Sequence, residues 1–298
     1  MKLHNQGRRQ FFSTLGALGT GLVVGQVFGQ EKAELKEPVF RTARLERRPD
    51  DHPLDPALRY AQDELEHIHK DIQDYECTIV KRERIKGVLN EYEYMYAKIR
   101  NRKITDEKLE IPLSVYLKFL KPANVAGREV IWVEQRNNGK LCAHEGGALL
   151  GRVSVWLDPN GPMAMKGNLY PISEIGLENL VAKLIERGSR ERTADPTGED
   201  TIVEFKPGAK LNGRKCTALS IRHDKQKPGY EFQLAQIFID EELNIPIRYI
   251  AYGWPEKAGG DKLILEEYNY TDIKLNRGFT DADFDPRNPT YNYKGVGK

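Results

Sequence analysis

Cysteine is scarce and scattered, with three residues in a chain of 298, at positions 77, 142 and 216. None stands in a C-x-x-C pair or beside a histidine at ligand spacing, so no structural zinc site can be assembled from them. One disulfide with a thiol left over and three buried thiols both remain open. An excess of either charge is lacking too. The chain carries 46 basic and 44 acidic residues, a net charge of +2. Acids interrupt the basic runs, as in Lys81-Arg82-Glu83-Arg84, so there is no electrostatic footprint for nucleic acid. Catalytic signatures are missing as well: no G-x-S-x-G, H-E-x-x-H, Walker loop or G-x-G-x-x-G is present. His144-Glu145-Gly146-Gly147 opens like a zinc-protease motif but lacks its second histidine. Asp281, Asp283 and Asp285 have the first spacings of a calcium loop, yet Pro286 replaces the turn glycine and Asn292 the closing glutamate. Glu266 and Glu267 are neighbours on a strand and therefore face opposite sides. These absences predict a protein with no catalytic constellation, no cofactor and no metal.

What is present begins at the N-terminus. Arg8-Arg9-Gln10-Phe11-Phe12 precedes a run free of charge until Glu31, rich in Gly, Ala, Leu and Val. A basic start, a short apolar stretch and small residues at its end make an export signal, with cleavage expected after Gly29. The stretch is too short and glycine-rich for a membrane span. The arginine pair resembles a twin-arginine signal, read by the machinery that exports folded proteins. Gly7, Phe12 and Ser13 depart from its usual pattern. The expected location is the periplasm. Lys2, Arg8 and Arg9 are the only charges of residues 1–29, so the chain beyond stands near −1. Residues 30–51 are charged, proline-punctuated and aperiodic, a flexible leader. A single domain is expected over 52–298.

Asp55-Pro56 reads as an N-cap and a first-turn proline. Leu58, Ala61, Leu65, Ile68 and Ile72 follow at three- and four-residue steps, one apolar stripe on a helix of about five turns. His67 and His69 lie on different faces and cannot chelate together. From Tyr75 the period becomes two. Strands are expected at Tyr75–Val80, around Tyr92–Ala97, and at Leu113–Leu120, Glu129–Glu134, Lys140–His144 and Val153–Leu157. Lys86-Gly87 and Asn138-Gly139 mark turns. A second helix is predicted with Ser173 as cap, Leu177, Leu180, Val181, Leu184 and Ile185 on one face, and Gly188 as stop. Further strands are expected at Thr201–Lys206, Lys215–His223, Glu231–Asp240, Ile245–Tyr252 and Lys262–Leu275. The class is α+β: a strongly curved antiparallel sheet whose concave face is covered by an N-terminal and an inserted helix.

Tyr92, Tyr94 and Tyr96 share one strand face, and Leu113, Val115, Leu117 and Phe119 share another. Each set reads either as core or as the wall of an apolar cavity. The candidate cavity residues are Leu58, Leu65, Ile68, Tyr94, Tyr96, Leu180 and Leu184.

The C-terminal half carries a resemblance. Ile237-Phe238-Ile239-Asp240, Asn244-Ile245-Pro246-Ile247-Arg248-Tyr249, Glu267-Tyr268-Asn269-Tyr270 and Phe279-Thr280-Asp281-Ala282-Asp283-Phe284 follow an order that resembles the LolA/LolB-like and RseB-like lipoprotein-carrier superfamily. The run from His52-Pro53-Leu54-Asp55-Pro56 through Phe119-Leu120-Lys121-Pro122, Ala143-His144-Glu145-Gly146-Gly147 and Asp281-Ala282-Asp283-Phe284-Asp285 is similar to an uncharacterised family of exported bacterial proteins allied to it. The resemblance implies a half-open barrel, helices plugging its mouth, and a cavity that holds acyl chains. The carriers' single functional arginine has no matching position here, which favours lipid or acyl binding over lipoprotein delivery. The expected function is a periplasmic, non-enzymatic carrier for an apolar ligand or lipoprotein. The alternative is an envelope sensor or protein-interaction module of RseB-like type.

Overall fold

The structure is a computed structural model and describes residues 48–147, 153–257 and 260–295. The export signal with Arg8 and Arg9, the cleavage point and most of the leader lie outside the described residues.

Helix α1 (Asp55–Asp71) leads into a meander: β1 (Asp74–Ile85), β2 (Val88–Leu89), β3 (Glu93–Arg100), β4 (Lys103–Thr105), β5 (Lys108–Ile111), β6 (Ser114–Lys121), β7 (Glu129–Val133), β8 (Leu141–His144) and β9 (Ser154–Leu157). Helix α2 (Leu177–Ala194) then intervenes, followed by β10 (Thr201–Leu211), β11 (Arg214–His223), β12 (Leu234–Asp240), β13 (Ile245–Gly253) and β14 (Leu263–Leu275). Among the described residues one antiparallel sheet runs β10-β11-β12-β13-β14-β1-β3-β6-β7-β8-β9, with β2 paired to β1. The last strand pairs with the first, Tyr75 opposite Leu275, so β1 and β14 join the two halves at the centre. The outer edges, β9 and β10, do not meet. α2 carries the chain from one edge to the other. The result is the expected class, an open, curved antiparallel sheet with two helices.

Turn chemistry matches the period-two reading. Lys86 and Gly87 both have positive φ, 49° and 85°, the backbone of a two-residue type I′ hairpin. Asn137, Asn138 and Gly139 likewise all have positive φ between β7 and β8. The β4–β5 hairpin was not expected; Lys103–Thr105 and Lys108–Ile111 are too polar and short to signal a strand.

The helix ends differ from expectation. Leu54, not Asp55, is the N-cap of α1. The Asp55 carboxylate instead accepts the His52 backbone N–H at 3.0 Å and pairs with Arg192 of α2. Ser173 lies in a short 3₁₀ turn, and α2 starts only at Leu177, whose N–H donates to the Tyr75 hydroxyl at 2.7 Å. Gly188 does not stop α2. It sits inside the helix where α1 crosses, and a Cβ there would stand 2.9 Å from Leu58 Cδ2. The local stop signal is overridden by close helix packing.

Ile68, Ile72, Tyr75, Ile79, Met95, Ile99, Leu177 and Val181 join one core, and Ala57, Tyr60, Leu219, Ile237, Ile239 and Tyr249 a second under α1. Cys77, Cys142 and Cys216 are all free and buried. Burial pushes the Cys142 thiol up to about 12. On the other face of the sheet the C-terminal segment packs Phe284, Phe279, Tyr291 and Tyr293 over Tyr116, Ile131 and Tyr96. Asp281 is held by Arg100 and Arg136, Asp283 by Lys98, and Asp285 by Arg287. The acidic tail is thus engaged by cations of the protein itself.

Candidate functional site

The inner face of β6–β9 is only partly covered, because the chain over it, residues 158–176, is mostly a loop. That loop holds Pro159, Gly161, Pro162, Gly167 and Pro171, which prevent a regular helix. Between loop and sheet lies a chamber of about 550 Å³, within the roughly 300–1,000 Å³ of small-ligand sites. Its apolar wall includes Met95, Leu117, Phe119, Val130, Leu141 and Leu157. Leu113, Val115, Leu117 and Phe119 all belong to the main buried core, and of that face Leu117 and Phe119 also border the chamber.

The chamber has a polar inner wall of Lys81, Asn168 and Tyr170. Lys81 Nζ donates to Glu83 Oε2 at 2.9 Å and Asn168 Oδ1 at 2.8 Å, and lies 3.4 Å from Glu93. Glu83 also accepts from the Tyr268 hydroxyl and from the Leu169 N–H at 3.1 Å. Tyr170 donates to Glu266 Oε2 at 2.8 Å, and Arg187 pairs with Glu266 at 2.7 Å. Burial, with the Glu266 charge, pushes the Tyr170 hydroxyl above its ordinary range, so it stays a neutral donor. Glu267 points the other way, to Arg82 and Arg248. The two adjacent glutamates therefore serve separate faces, as strand geometry requires.

At the opposite end Val153, Val155 and Met163 border the chamber and are 62%, 38% and 72% exposed. Arg128, which also borders the chamber, makes a two-oxygen contact with Glu145, 3.0 Å to each. This is the mouth.

The seven candidate cavity residues are not brought together. Ile68 is fully buried in the main core with Leu65 packed against it. Leu58 and Leu184 border a void of about 60 Å³ between α1, α2 and β11–β13. Leu180 and Leu184 border another of about 70 Å³ between α2 and β1, β3, β13 and β14. Both voids are small because the helical stripes fill the space. Tyr94 and Tyr96 lie on the outer face, opposite to Met95. The Lys121 ammonium lies 5.3 Å from the Tyr94 ring, and Tyr96 donates to Glu76 at 2.8 Å. Lys81, Asn168 and Tyr170 had no signal in the sequence beyond their polarity.

Among the described residues no group of three or more His, Cys, Asp or Glu is placed to hold a metal. No helix among them is long and apolar enough to cross a membrane.

A family model described as protein of unknown function, DUF1571, matches residues 72–293. The chain belongs to the DUF1571 family. That agrees with the family resemblance read from the sequence. Among solved structures, a DUF1329 family protein from Desulfovibrio piger ATCC 29098 is similar over 79% of this chain and 98% of its own, at 12% identity and a TM-score of 0.37. A LolA superfamily protein from Nitrosomonas europaea is similar over 76% of this chain and 97% of its own, at 8% identity and a TM-score of 0.28. MucB, solved in complex with MucA(peri), is similar over 76% of this chain and 59% of its own, at 12% identity and a TM-score of 0.40. No curated protein matches the chain.

Proposed function

We propose that this DUF1571 protein is a non-enzymatic carrier or binding protein for an apolar, acyl-containing ligand, working in the periplasm after twin-arginine export. The observation that supports it is the chamber of about 550 Å³ under β6–β9, apolar along its walls and open at a rim of Val153, Val155 and Met163. Each methylene moved from water into such a site contributes about 0.8 kcal/mol. A chain of ordinary length therefore reaches micromolar affinity even after ordering costs. Titration of the exported protein with a fluorescent long-chain fatty acid is expected to saturate near one per chain, with tighter binding for longer chains. Absence of saturable binding at every length would refute the reading. The export part is tested separately: changing Arg8 and Arg9 to Lys should hold the protein in the cytoplasm, because lysine lacks the guanidinium geometry.

One observation favours the second reading, an envelope interaction module. The two sheet edges are unlike. β10 carries Pro207, Lys206, Lys210 and a register shift between Lys206 and Ala209, the devices that block strand addition. β9 is Ser-Val-Trp-Leu, with Val155 and Trp156 both exposed. Native mass spectrometry of protein purified from its own envelope separates the readings: a bound acyl species supports the carrier, and a stoichiometric protein partner supports the module.

A further inference from the structure

On β7 and β8 the outer side of the sheet is buried as thoroughly as a core. Glu129, Ile131, Cys142 and His144 are all buried there, while Val130 and Ala143, on the chamber side, are only partly so. Strand pairing lines these outer residues up in rows. Tyr116 of β6 stands opposite Ile131, Ile131 opposite Cys142, and Cys142 opposite Trp156 of β9. The next row runs Lys118, Glu129, His144, Ser154. Four successive C-terminal residues cross these rows, one to a strand. The Tyr291 ring stacks on Tyr116 with 4.3 Å between centroids. Asn292 donates its backbone N–H and its side-chain amide to the two Glu129 oxygens, at 3.3 and 3.1 Å. Tyr293 meets the His144 ring edge-on at 4.8 Å, and its hydroxyl donates to the Cys142 carbonyl at 3.5 Å. The Lys294 N–H donates to the Ser154 hydroxyl at 3.0 Å.

We infer that residues 291–294 are a strap that holds the chamber wall in shape from outside, so that ligand binding within and strap docking without are one coupled equilibrium. A sheet with an unfilled face forfeits the packing contacts that would fix it. β10–β13 gain such contacts from α1 and α2, and β7–β9 gain them from the strap. Its members are positioning residues, acting through Val130, Ala143 and Leu157 on the strands they cross. The coupling is reciprocal: the factor by which a docked strap raises ligand affinity is the factor by which ligand favours docking. The inference rests on the apolar-ligand reading above and adds to it a control point outside the cavity.

The test compares the exported protein with the same chain ending at Thr290, using cis-parinarate as the probe and amide hydrogen exchange as a second readout. The shortened chain should bind the probe at least about five-fold more weakly, the lower end of coupling between sites. Its β7–β9 amides should exchange faster while those of β10–β13 keep their rates, a split that a general loss of stability would not give. In the intact protein the probe should slow exchange at the Asn292 and Lys294 amides by the factor that shortening costs in affinity. Asn292→Ala should move affinity and β7–β9 exchange the same way by less, and Tyr291→Phe, which keeps the ring stack, should leave both near wild type. Equal probe affinity in the two chains, or strap amides indifferent to the probe, overturns the inference while leaving a carrier. Faster exchange throughout the sheet of the shortened chain overturns it too, because the segment is then ordinary core. If the shortened chain does not fold, the effect of the probe on the strap amides of the intact protein decides alone. No probe binding by the intact protein instead removes the carrier reading, and the coupling falls with it.

Discussion

The half of the sheet formed by β10–β13 and the half formed by β6–β9 are built alike but covered differently. Over the first, α1 and α2 cross at Gly188 and Leu58 and fill the concave face, leaving a void of about 60 Å³. Over the second, the proline- and glycine-bearing loop 158–176 spans a chamber of about 550 Å³. A helix carries side chains on a continuous ridge that can enter the grooves of a neighbour. A loop of this composition crosses the same distance without a ridge. Filled space contributes stability, and unfilled space contributes a site.

The sharpest way to break that comparison is to hollow the filled half. Ile237→Ala removes a buried side chain from the core between α1 and β11–β13 and should destabilise by about 2–5 kcal/mol, measured by denaturant unfolding. If the loss were under about 0.5 kcal/mol, α1 would be peripheral. Overfilling the same half comes next. Gly188→Leu forces α1 and α2 apart at Leu58, with an expected loss of about 1–3 kcal/mol. Gly188→Ala should be milder, because the contact is the flexible end of Leu58 and alanine favours helix. The open half should respond oppositely. Val130→Phe fills the chamber from β7, and unfolding free energy should stay within about 0.5 kcal/mol while acyl binding is lost. A large destabilisation there would mean that the wall is packed core.

A smaller effect concerns the outer face. Hydrogen bonds from Arg136 and Arg100 hold the Asp281 carboxyl below its ordinary 3.8. A group depressed on folding stabilises fully above its unfolded value and loses that contribution as pH falls through its folded value. The C-terminal segment should therefore loosen below about pH 4, seen as a change in near-ultraviolet circular dichroism from Tyr116, Tyr291 and Tyr293. Asp281→Asn should remove part of this acid sensitivity.

Much of the framework was legible in the sequence. Alternation at Tyr75–Ile79, Leu113–Phe119 and Ile245–Tyr252 located strands, and the Leu177–Ile185 pattern located α2, because side-chain period follows backbone geometry. The helix boundaries were less legible. Asp55 and Gly188 are strong local signals, yet each is used in a contact between α1 and α2. A cap or stop preference of about 1 kcal/mol yields to such packing.

Sequence by itself therefore determined the antiparallel sheet, its two helices and the separation of Glu266 from Glu267 onto opposite faces, since each depends on residues close along the chain. The tertiary structure alone decided which face of each strand points inward. Period two divides Tyr94 and Tyr96 from Met95 but does not say which set meets the helices and which meets the C-terminal tail. It decided as well that the helical stripes of Leu58, Leu65, Ile68, Leu180 and Leu184 close their half while the chamber opens elsewhere. Whether an apolar wall is core or cavity depends on what lies opposite it, and here Leu117 and Val130 face a loop that begins 41 and 28 positions further along the chain.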